Sequence, residues 1–282
     1  MKQKSMGKIF EQLPVSKRMP VIFTSHGNPM DITLPAHGND FIRYLNVLGG
    51  ELDKKYQPEA VLVISAHWNT KGSFINSDPF PETIFDYYGF PKEYYSDTLK
   101  YPAPGSPEFA RIIATDIDQV KTTSEWGFDH GNWPVMKHLF PKAEIPVLQL
   151  SIDSGKSPRE HYDLALQLKK FREKGVVIIG SGAIVHNLKE AIERMLIGDT
   201  RIFGWDKEFD DYIRLQIDNR NIKAILEYEK HKYGKRAVPT PEHYIPLIYV
   251  MALLDKRDKI VHTYGELLPA FSNRSFMAES LG

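Results

Sequence analysis

Short runs of consecutive apolar residues alternate with amphipathic segments along most of this chain. The apolar runs lie at 20–24, 60–65, 145–152 and 176–179. They are rich in β-branched residues, which is typical of strands that are covered on both faces. Helices are predicted at 41–52, from 106, from 157 to a stop at 175, from about 187, over 205–231 and over 244–254. Further strands are expected at 259–263 and in the C-terminal tail.

Strands that alternate with helices over the whole length predict an α/β fold with a mostly parallel central sheet flanked by helices. The chain has no internal repeat, low-complexity tract or Gly/Ser linker that would divide it. We therefore expect a single domain over 20–282, preceded by a flexible N-terminal lead-in over 1–19.

Composition narrows the chemistry of any functional site. The 282 residues include ten histidines but no cysteine, which excludes disulfides, thiolate metal sites and thiol nucleophiles. The 36 basic and 36 acidic side chains balance, which argues against a nucleic-acid partner or a polybasic membrane anchor. Pro246 interrupts the most apolar stretch, 245–254, which is also too short to span a membrane. With no signal-type segment evident, the cytoplasm is the expected compartment.

Three histidines follow predicted strands directly. His26 comes after the run at 20–24, His67 after 60–65 and His186 shortly after 176–179. Ligands bind at the carboxyl ends of the strands in an open parallel sheet, so these side chains are expected to meet there. His130 and His243 lie in turn-rich segments and are candidates for the same site. Two interpretations are open at this point. The histidines form a metal site at the carboxyl ends of the strands, or they are ordinary turn residues that make hydrogen bonds.

Aromatic residues are concentrated between 74 and 101. Nine of these 28 residues are aromatic, although the chain as a whole is 12% aromatic. A long irregular segment inside a compact domain is usually functional. These side chains could wall a pocket for a planar ligand or attach the loop to the protein body, and both roles can coexist.

Six motifs, taken together and in order, resemble the class III (LigB-type) extradiol ring-cleavage dioxygenases, and most closely the branch of 4,5-DOPA extradiol dioxygenases. They are HGNP (26–29), SAHW (65–68), FDHGNWP (128–134), PVLQLSID (146–153), GSGAIVHNL (180–188) and PTPEHYIPL (239–247). The resemblance implies an enzyme that uses O2 to open the ring of a small catechol beside its two hydroxyls. It also implies a mononuclear non-haem Fe(II) site, which Zn(II) often occupies in purified relatives.

The same resemblance assigns roles to the motif histidines. His26 and His67 correspond to metal ligands, and His243 to a further ligand. His186 corresponds to the acid/base histidine of the wider family, and in this branch it also lies close enough to contact the metal. His130 corresponds to a histidine that faces the bound substrate and oxygen.

Several alternatives stay open in the sequence. Glu242 and His243 are adjacent, so only one of them is expected to reach the metal, and the resemblance favours His243. A zinc hydrolase could use the same histidines to activate water, and a non-catalytic binding relative is a further alternative. The five histidines outside the motifs are expected to be structural or surface residues; they are His37, His138, His161, His231 and His262.

Overall fold

The computed structural model describes residues 13–29, 32, 39–202 and 204–280. The strands are β1 (Val21–Thr24), β2 (Ala60–Thr70), β3 (Ser73–Asn76), β4 (Val120–Thr123), β5 (Val147–Asp153), β6 (Val176–Ser181), β7 (Asp258–Tyr264), β8 (Leu267–Leu268), β9 (Phe271–Ser272) and β10 (Ser275–Ser280). The α-helices are α1 (Asp40–Lys55), α2 (Pro107–Asp116), α3 (Trp133–Leu139), α4 (Pro158–Leu168), α5 (Leu188–Leu196), α6 (Gly204–Asp218), α7 (Ile222–Leu226), α8 (Gly234–Ala237) and α9 (Ile245–Leu253). Short 3-10 turns occupy Lys92–Tyr95, Asp97–Leu99, Lys169–Lys174 and Tyr228–Lys230.

Eight strands form one sheet in the order β4-β3-β5-β2-β6-β1-β10-β7. The four central strands, β5, β2, β6 and β1, are mutually parallel. On one side β10 and β7 add as antiparallel strands, and on the other β3 pairs antiparallel with β5 and parallel with β4. The predicted single α/β domain with a mostly parallel central sheet is therefore confirmed, and the carboxyl ends of its parallel strands lie along one edge.

Both faces of this sheet are buried, as the continuous apolar runs predict. Along β2, Leu62 and Ile64 pack into one core with α4, α6 and α9, whereas Val61 and Val63 pack into a second core with α1 and α3. Alternate residues of a strand point to opposite faces, so one apolar run supplies both cores. The central strands are thereby held rigidly, and so are the residues that follow them.

The structure differs from the sequence prediction in a few elements. Strand β2 continues to Thr70, so His67 lies inside it rather than after it; its pairing with β5 is irregular between Ile64 and Asn69. The predicted helix at 205–231 is interrupted after α6, where Arg220 adopts a left-handed backbone conformation (φ 51°). The apolar pattern did not reveal β3, β4 or α3, because they are short and β4 is half exposed.

Part of the expected N-terminal lead-in is attached to the domain. Residues 1–12 lie outside the described residues. The Met19 amide donates to the Arg172 carbonyl (2.7 Å), and Lys174 Nζ donates to the Leu13 carbonyl (2.7 Å). Leu13 and Met19 thus have partners in the domain, while the domain boundary at residue 20 stays a prediction.

None of the helices in the described part of the chain is both long enough and apolar enough to cross a membrane.

Candidate metal centre

His26 sits in a tight turn at the carboxyl end of β1. The turn is closed by the Gly27 amide, which donates to Ser25 Oγ (3.0 Å). Gly27 has a φ of +63°, a conformation that favours glycine. The imidazole of His26 is almost completely buried. The HGNP motif therefore turns the chain away from the sheet and leaves the histidine at its edge.

A buried polar network fixes His67 relative to the loop that carries His130. Ser65 Oγ accepts the His67 amide proton (3.2 Å) and donates to Asp129 Oδ1 (2.6 Å). Asp129 also accepts hydrogen bonds from Trp126 Nε1 (3.1 Å) and from Gln149 Nε2 (2.5 Å) on β5. Burial raises the pKa of Asp129 to about 6. The SAHW, FDHGNWP and PVLQLSID motifs thus share one hydrogen-bonded network.

His186 and His243 are held by a second set of backbone contacts. The His186 amide donates to the Ala237 carbonyl (2.8 Å), and the Ala183 amide donates to the His243 carbonyl (2.8 Å). A Cβ at Gly182 would lie 2.2 Å from that same His243 carbonyl oxygen. Glycine at this position permits the loop after β6 to pack directly on the segment before α9.

All five motif histidines come together at the strand carboxyl ends. His26 Nε2 and His67 Nε2 lie 3.0 Å apart, and the His243 ring centroid lies 5.3 Å from that of His26 and 4.9 Å from that of His67. His130 is 3.6 Å from His67 between centroids, and one ring nitrogen from each of His26, His67 and His130 falls within 4.8 Å of the others. His130 therefore lies close enough to His26 and His67 to be a candidate third ligand, although the resemblance makes it a histidine that faces the substrate.

The Nδ1 side of two of these rings has a partner, which leaves Nε2 for a ligand. His26 Nδ1 lies 3.2 Å from Ser181 Oγ, and His243 Nδ1 lies 3.3 Å from Glu242 Oε1. His243 Nε2 is buried and has no hydrogen-bond partner in the described structure. Metal-binding histidines characteristically engage their second nitrogen in this way. The donor set consequently fits a divalent ion such as Fe(II) or Zn(II), for which imidazole is a suitable ligand.

The electrostatics of the cluster keep the rings of His26, His67, His186 and His243 neutral. Burial, reinforced by the neighbouring imidazoles, holds the pKa of His26, His67 and His243 well below the ordinary histidine value. Burial also lowers the pKa of His186 to about 4, although the Glu242 carboxylate acts in the opposite direction. Neutral imidazoles carry the free lone pairs that metal binding requires.

His186 and His243 stack face to face. Their ring centroids are 3.5 Å apart and their planes differ by 6°. A metal ion binds an imidazole nitrogen at about 2.0–2.1 Å, along a lone pair in the ring plane. Two nearly parallel rings stacked at this separation have planes that do not meet within bonding distance of either ring, so one ion cannot take an in-plane lone pair from both rings in this arrangement.

Glu242 and His243 occupy different environments. His243 is buried within the cluster, whereas the Glu242 side chain is partly exposed and accepts a hydrogen bond from Thr240 Oγ1 (2.6 Å). The carboxylate therefore lies behind the His243 ring and supports it.

Sequence reasoning missed one carboxylate of the site. Asp86, within the aromatic segment, places Oδ1 2.9 Å from His130 Nδ1 and Oδ2 3.6 Å from His67 Nδ1. Its only sequence signal is that it is an acid between two aromatic residues, Phe85 and Tyr87.

The aromatic segment contacts the site and is attached to the protein body, while its role as the wall of a pocket for a planar ligand stays a prediction. The Tyr87 ring is buried and packs roughly perpendicular to the His130 ring (centroids 5.4 Å apart), so it lies beside the histidine cluster. Phe85 packs on Trp133 (5.5 Å) and attaches the segment to α3. Phe80 and Tyr88, by contrast, are largely exposed.

The other histidines have partners outside the cluster. His138 contacts the Ile32 carbonyl, His161 the Tyr249 hydroxyl, His231 the Tyr212 ring and His262 the Asp218 carboxylate. His37 lies outside the described residues.

Comparison with known proteins identifies the family that this chain is similar to. Residues 20–272 match the family model described as the catalytic LigB subunit of aromatic ring-opening dioxygenase. The chain is 36% identical to a 4,5-DOPA dioxygenase extradiol of Escherichia coli K12, over 87% of this chain and 89% of that protein. It is 34% identical to a protein of the same name from Beta vulgaris, over 84% and 87% of the two chains. A crystal structure of an uncharacterized E. coli K12 protein superposes with a TM-score of 0.77 at 30% identity, covering 92% of this chain and 99% of that one.

Proposed function

The chain belongs to the family of the catalytic LigB subunit of aromatic ring-opening dioxygenases, and from this premise we propose that it is a metal-dependent extradiol dioxygenase. Its substrates are a small catechol, DOPA or a DOPA-like compound, and O2. The observation that carries this proposal is the convergence of five histidines at the carboxyl ends of the parallel strands, where the Nε2 of His243 is buried and has no hydrogen-bond partner among the described residues.

The metal ligands in this proposal are His26, His67 and His243, each acting through Nε2. The two facing Nε2 atoms of His26 and His67, 3.0 Å apart, are brought together as ligands of one ion would be. Fe(II) is the active metal, and Zn(II) is a redox-inactive occupant of the same ligands. Bound iron(II) supplies the one-electron chemistry through which O2 can react with an aromatic ring.

The remaining site residues handle protons. His186 lies beside the proposed ligands, where a ring nitrogen can exchange a proton with a catechol hydroxyl. Burial lowers its pKa to about 4, so the ring is neutral at pH 7. Its face-to-face stacking on His243 keeps it beside the ligands without sharing the ion. His130, whose Nδ1 faces the Asp86 carboxylate, presents Nε2 to the substrate.

The aromatic segment limits the access of water. Tyr87 is buried against His130, and its hydroxyl donates to the Tyr94 carbonyl (2.6 Å), which ties the wall to the following turn. A dry site strengthens the electrostatic interactions within it and suppresses side reactions.

Anaerobic reconstitution with Fe(II), followed by a catechol and then O2, tests this function. We expect O2 uptake that matches the formation of a yellow ring-opened product, with the Zn(II)-loaded protein as the inactive control. Failure with L-DOPA, protocatechuate and catechol alike would overturn the proposal. A zinc hydrolase would instead turn over its substrate without O2, and a binding relative would retain the catechol unchanged.

A further inference from the structure

Asp86 connects two of the site histidines through one carboxylate. Its Oδ1 accepts the backbone amide proton of His130 (2.8 Å) and lies 2.9 Å from His130 Nδ1, while Oδ2 lies 3.6 Å from His67 Nδ1. The contact with His130 Nδ1 is bent away from hydrogen-bond geometry, so the carboxylate acts on that nitrogen chiefly through its charge. The side chain of Asp86 is only 15% exposed, which limits the screening of that charge by water.

The backbone around Asp86 is fixed to the loop that it contacts. The Ile84 amide donates to the Phe128 carbonyl (2.7 Å), and the Phe128 amide donates to the Glu82 carbonyl (2.7 Å). Thr83 and Phe128 form a parallel β-bridge. A Cβ at Gly127 would lie 2.0 Å from the Glu82 carbonyl oxygen, so these two segments approach as closely as glycine permits. The position of Asp86 relative to His130 is therefore set by backbone pairing.

We infer that Asp86 is a positioning residue, which holds the His130 ring in the Nδ1–H tautomer and so directs Nε2 into the site. A carboxylate has no proton to donate, and its negative charge 2.9 Å from Nδ1 favours the neutral tautomer that carries its proton on that nitrogen. Carboxylate partners orient ligating and catalytic histidines in this way. The inference rests on the proposed function for its effect on turnover, but the tautomer itself is independent of activity.

The same contact could serve only to hold the loop, and a substitution separates the two roles. In Asp86→Asn the amide oxygen can still accept the His130 backbone proton, so the loop keeps its anchor. The variant loses the charge that favours a proton on His130 Nδ1. With Oδ1 kept on the backbone amide, its NH2 group takes the place of Oδ2, which lies near His67 Nδ1. Glu93→Gln is the matched control, because Glu93 is an exposed acid in the same segment.

The experiment is long-range 1H–15N correlation NMR of histidine-labelled protein, metal-free and Zn(II)-loaded, with His130 assigned from the spectrum of His130→Gln. We expect Nδ1–H at His130 in the wild type and in Glu93→Gln, and a shift toward Nε2–H in Asp86→Asn. With Fe(II), Asp86→Asn should lower kcat by about 10–100-fold, with little change in the KM for catechol and an unchanged Tm.

The outcomes separate this inference from the proposed function. A tautomer shift in Asp86→Asn supports the positioning role even if the wild type proves inactive toward catechols. An Nε2–H tautomer at His130 in the wild type, or an unchanged tautomer in Asp86→Asn, overturns the role even if the wild type is an active dioxygenase. An active wild type with an undiminished kcat in Asp86→Asn also overturns it.

Discussion

The imidazole rings of His186 and His243 lie parallel, with their centroids 3.5 Å apart. Because a single ion cannot take an in-plane lone pair from both, we propose that one of these rings is a metal ligand and the other a proton-transfer group. His243, whose buried Nε2 has no partner among the described residues, is the proposed ligand. His186 is the proposed proton-transfer group.

This division predicts different losses in two alanine variants. His243→Ala should lose bound metal, because it removes one of three ligands, whereas His186→Ala should retain metal and lower turnover by about 10²–10⁴. Metal content after dialysis, measured by plasma mass spectrometry, and the turnover of Fe(II)-loaded protein report the two effects. His130→Ala serves as the comparison, since His130 is the remaining candidate for a third ligand. Metal loss from His130→Ala but not from His243→Ala would reverse the assignment.

Gly131 controls the approach of the His130 loop to β2. A Cβ there would lie 2.3 Å from Ser65 Oγ and 3.1 Å from His67 Cδ2. Gly131→Ala should therefore displace His67 and weaken Zn(II) binding by at least about tenfold, the range seen when the groups that support a metal ligand are altered. Isothermal titration of the metal-free protein measures this change.

The control for that substitution is Gly50→Ala. Gly50 lies in α1, and a Cβ added to it would have no neighbouring atom within 4 Å. Alanine there should leave Zn(II) affinity unchanged and stabilise the helix by about 0.5–1 kcal/mol. Equal Zn(II) affinities for Gly131→Ala and Gly50→Ala would disprove the packing argument.

Arg172 and Asp258 form a fully buried ion pair that joins the 3-10 turn after α4 to β7. Arg172 Nη1 and Nη2 donate to the two carboxylate oxygens at 2.8 and 2.7 Å. Burial by itself would raise the pKa of Asp258, but the bonds from Arg172 outweigh it and hold the pKa below its ordinary value. Asp258→Ala leaves a buried charge unpaired and should lower the free energy of unfolding by about 3–5 kcal/mol. Urea denaturation measures this loss. The control is Asp163→Ala, which breaks an exposed ion pair with Arg159 and should lower the free energy of unfolding by less than about 1 kcal/mol.

His161 predicts a loss of stability in mild acid. Burial lowers the pKa of His161 to about 4, from a value near 6.5 in the unfolded state. Between these two pH values the unfolded state binds the proton and is thereby stabilised relative to the folded state. The contribution of His161 to the free energy of unfolding is nearly constant above pH 6.5 and should fall by about 2 kcal/mol between pH 7 and pH 5. Urea denaturation at both pH values should show a smaller acid-induced loss in His161→Gln than in the wild type. An identical loss in both proteins would contradict the assignment.

The elements that could be predicted from the sequence are those whose pattern is set by neighbouring residues along the chain. Strands such as β2 and β6 are buried on both faces, so their apolar runs could be recognised without tertiary information. The convergence of His26 and His67 followed from the same reasoning, because parallel strands end at one edge.

Other features depend on contacts between distant segments. Asp86 reaches His130 because residues 82–84 pair with Phe128, and no local pattern indicates that pairing. The stacking of His186 on His243 depends on how the loop after β6 packs against the segment before α9. Strand β4 has exposed residues and only four positions, too few to reveal a period.

Incorporation of both atoms of 18O2 into the ring-opened product tests the central claim most directly. The Fe(II)-loaded protein is mixed with a catechol substrate under 18O2, and the reaction is quenched with borohydride. Borohydride reduces the aldehyde of the product before its oxygen exchanges with water. The mass of the product is then measured by mass spectrometry. An extradiol dioxygenase should yield product that carries two labelled oxygen atoms, and His186→Ala should yield far less of it in the same time. Product with oxygen derived from water alone, or an intact ring after O2 exposure, would contradict the account.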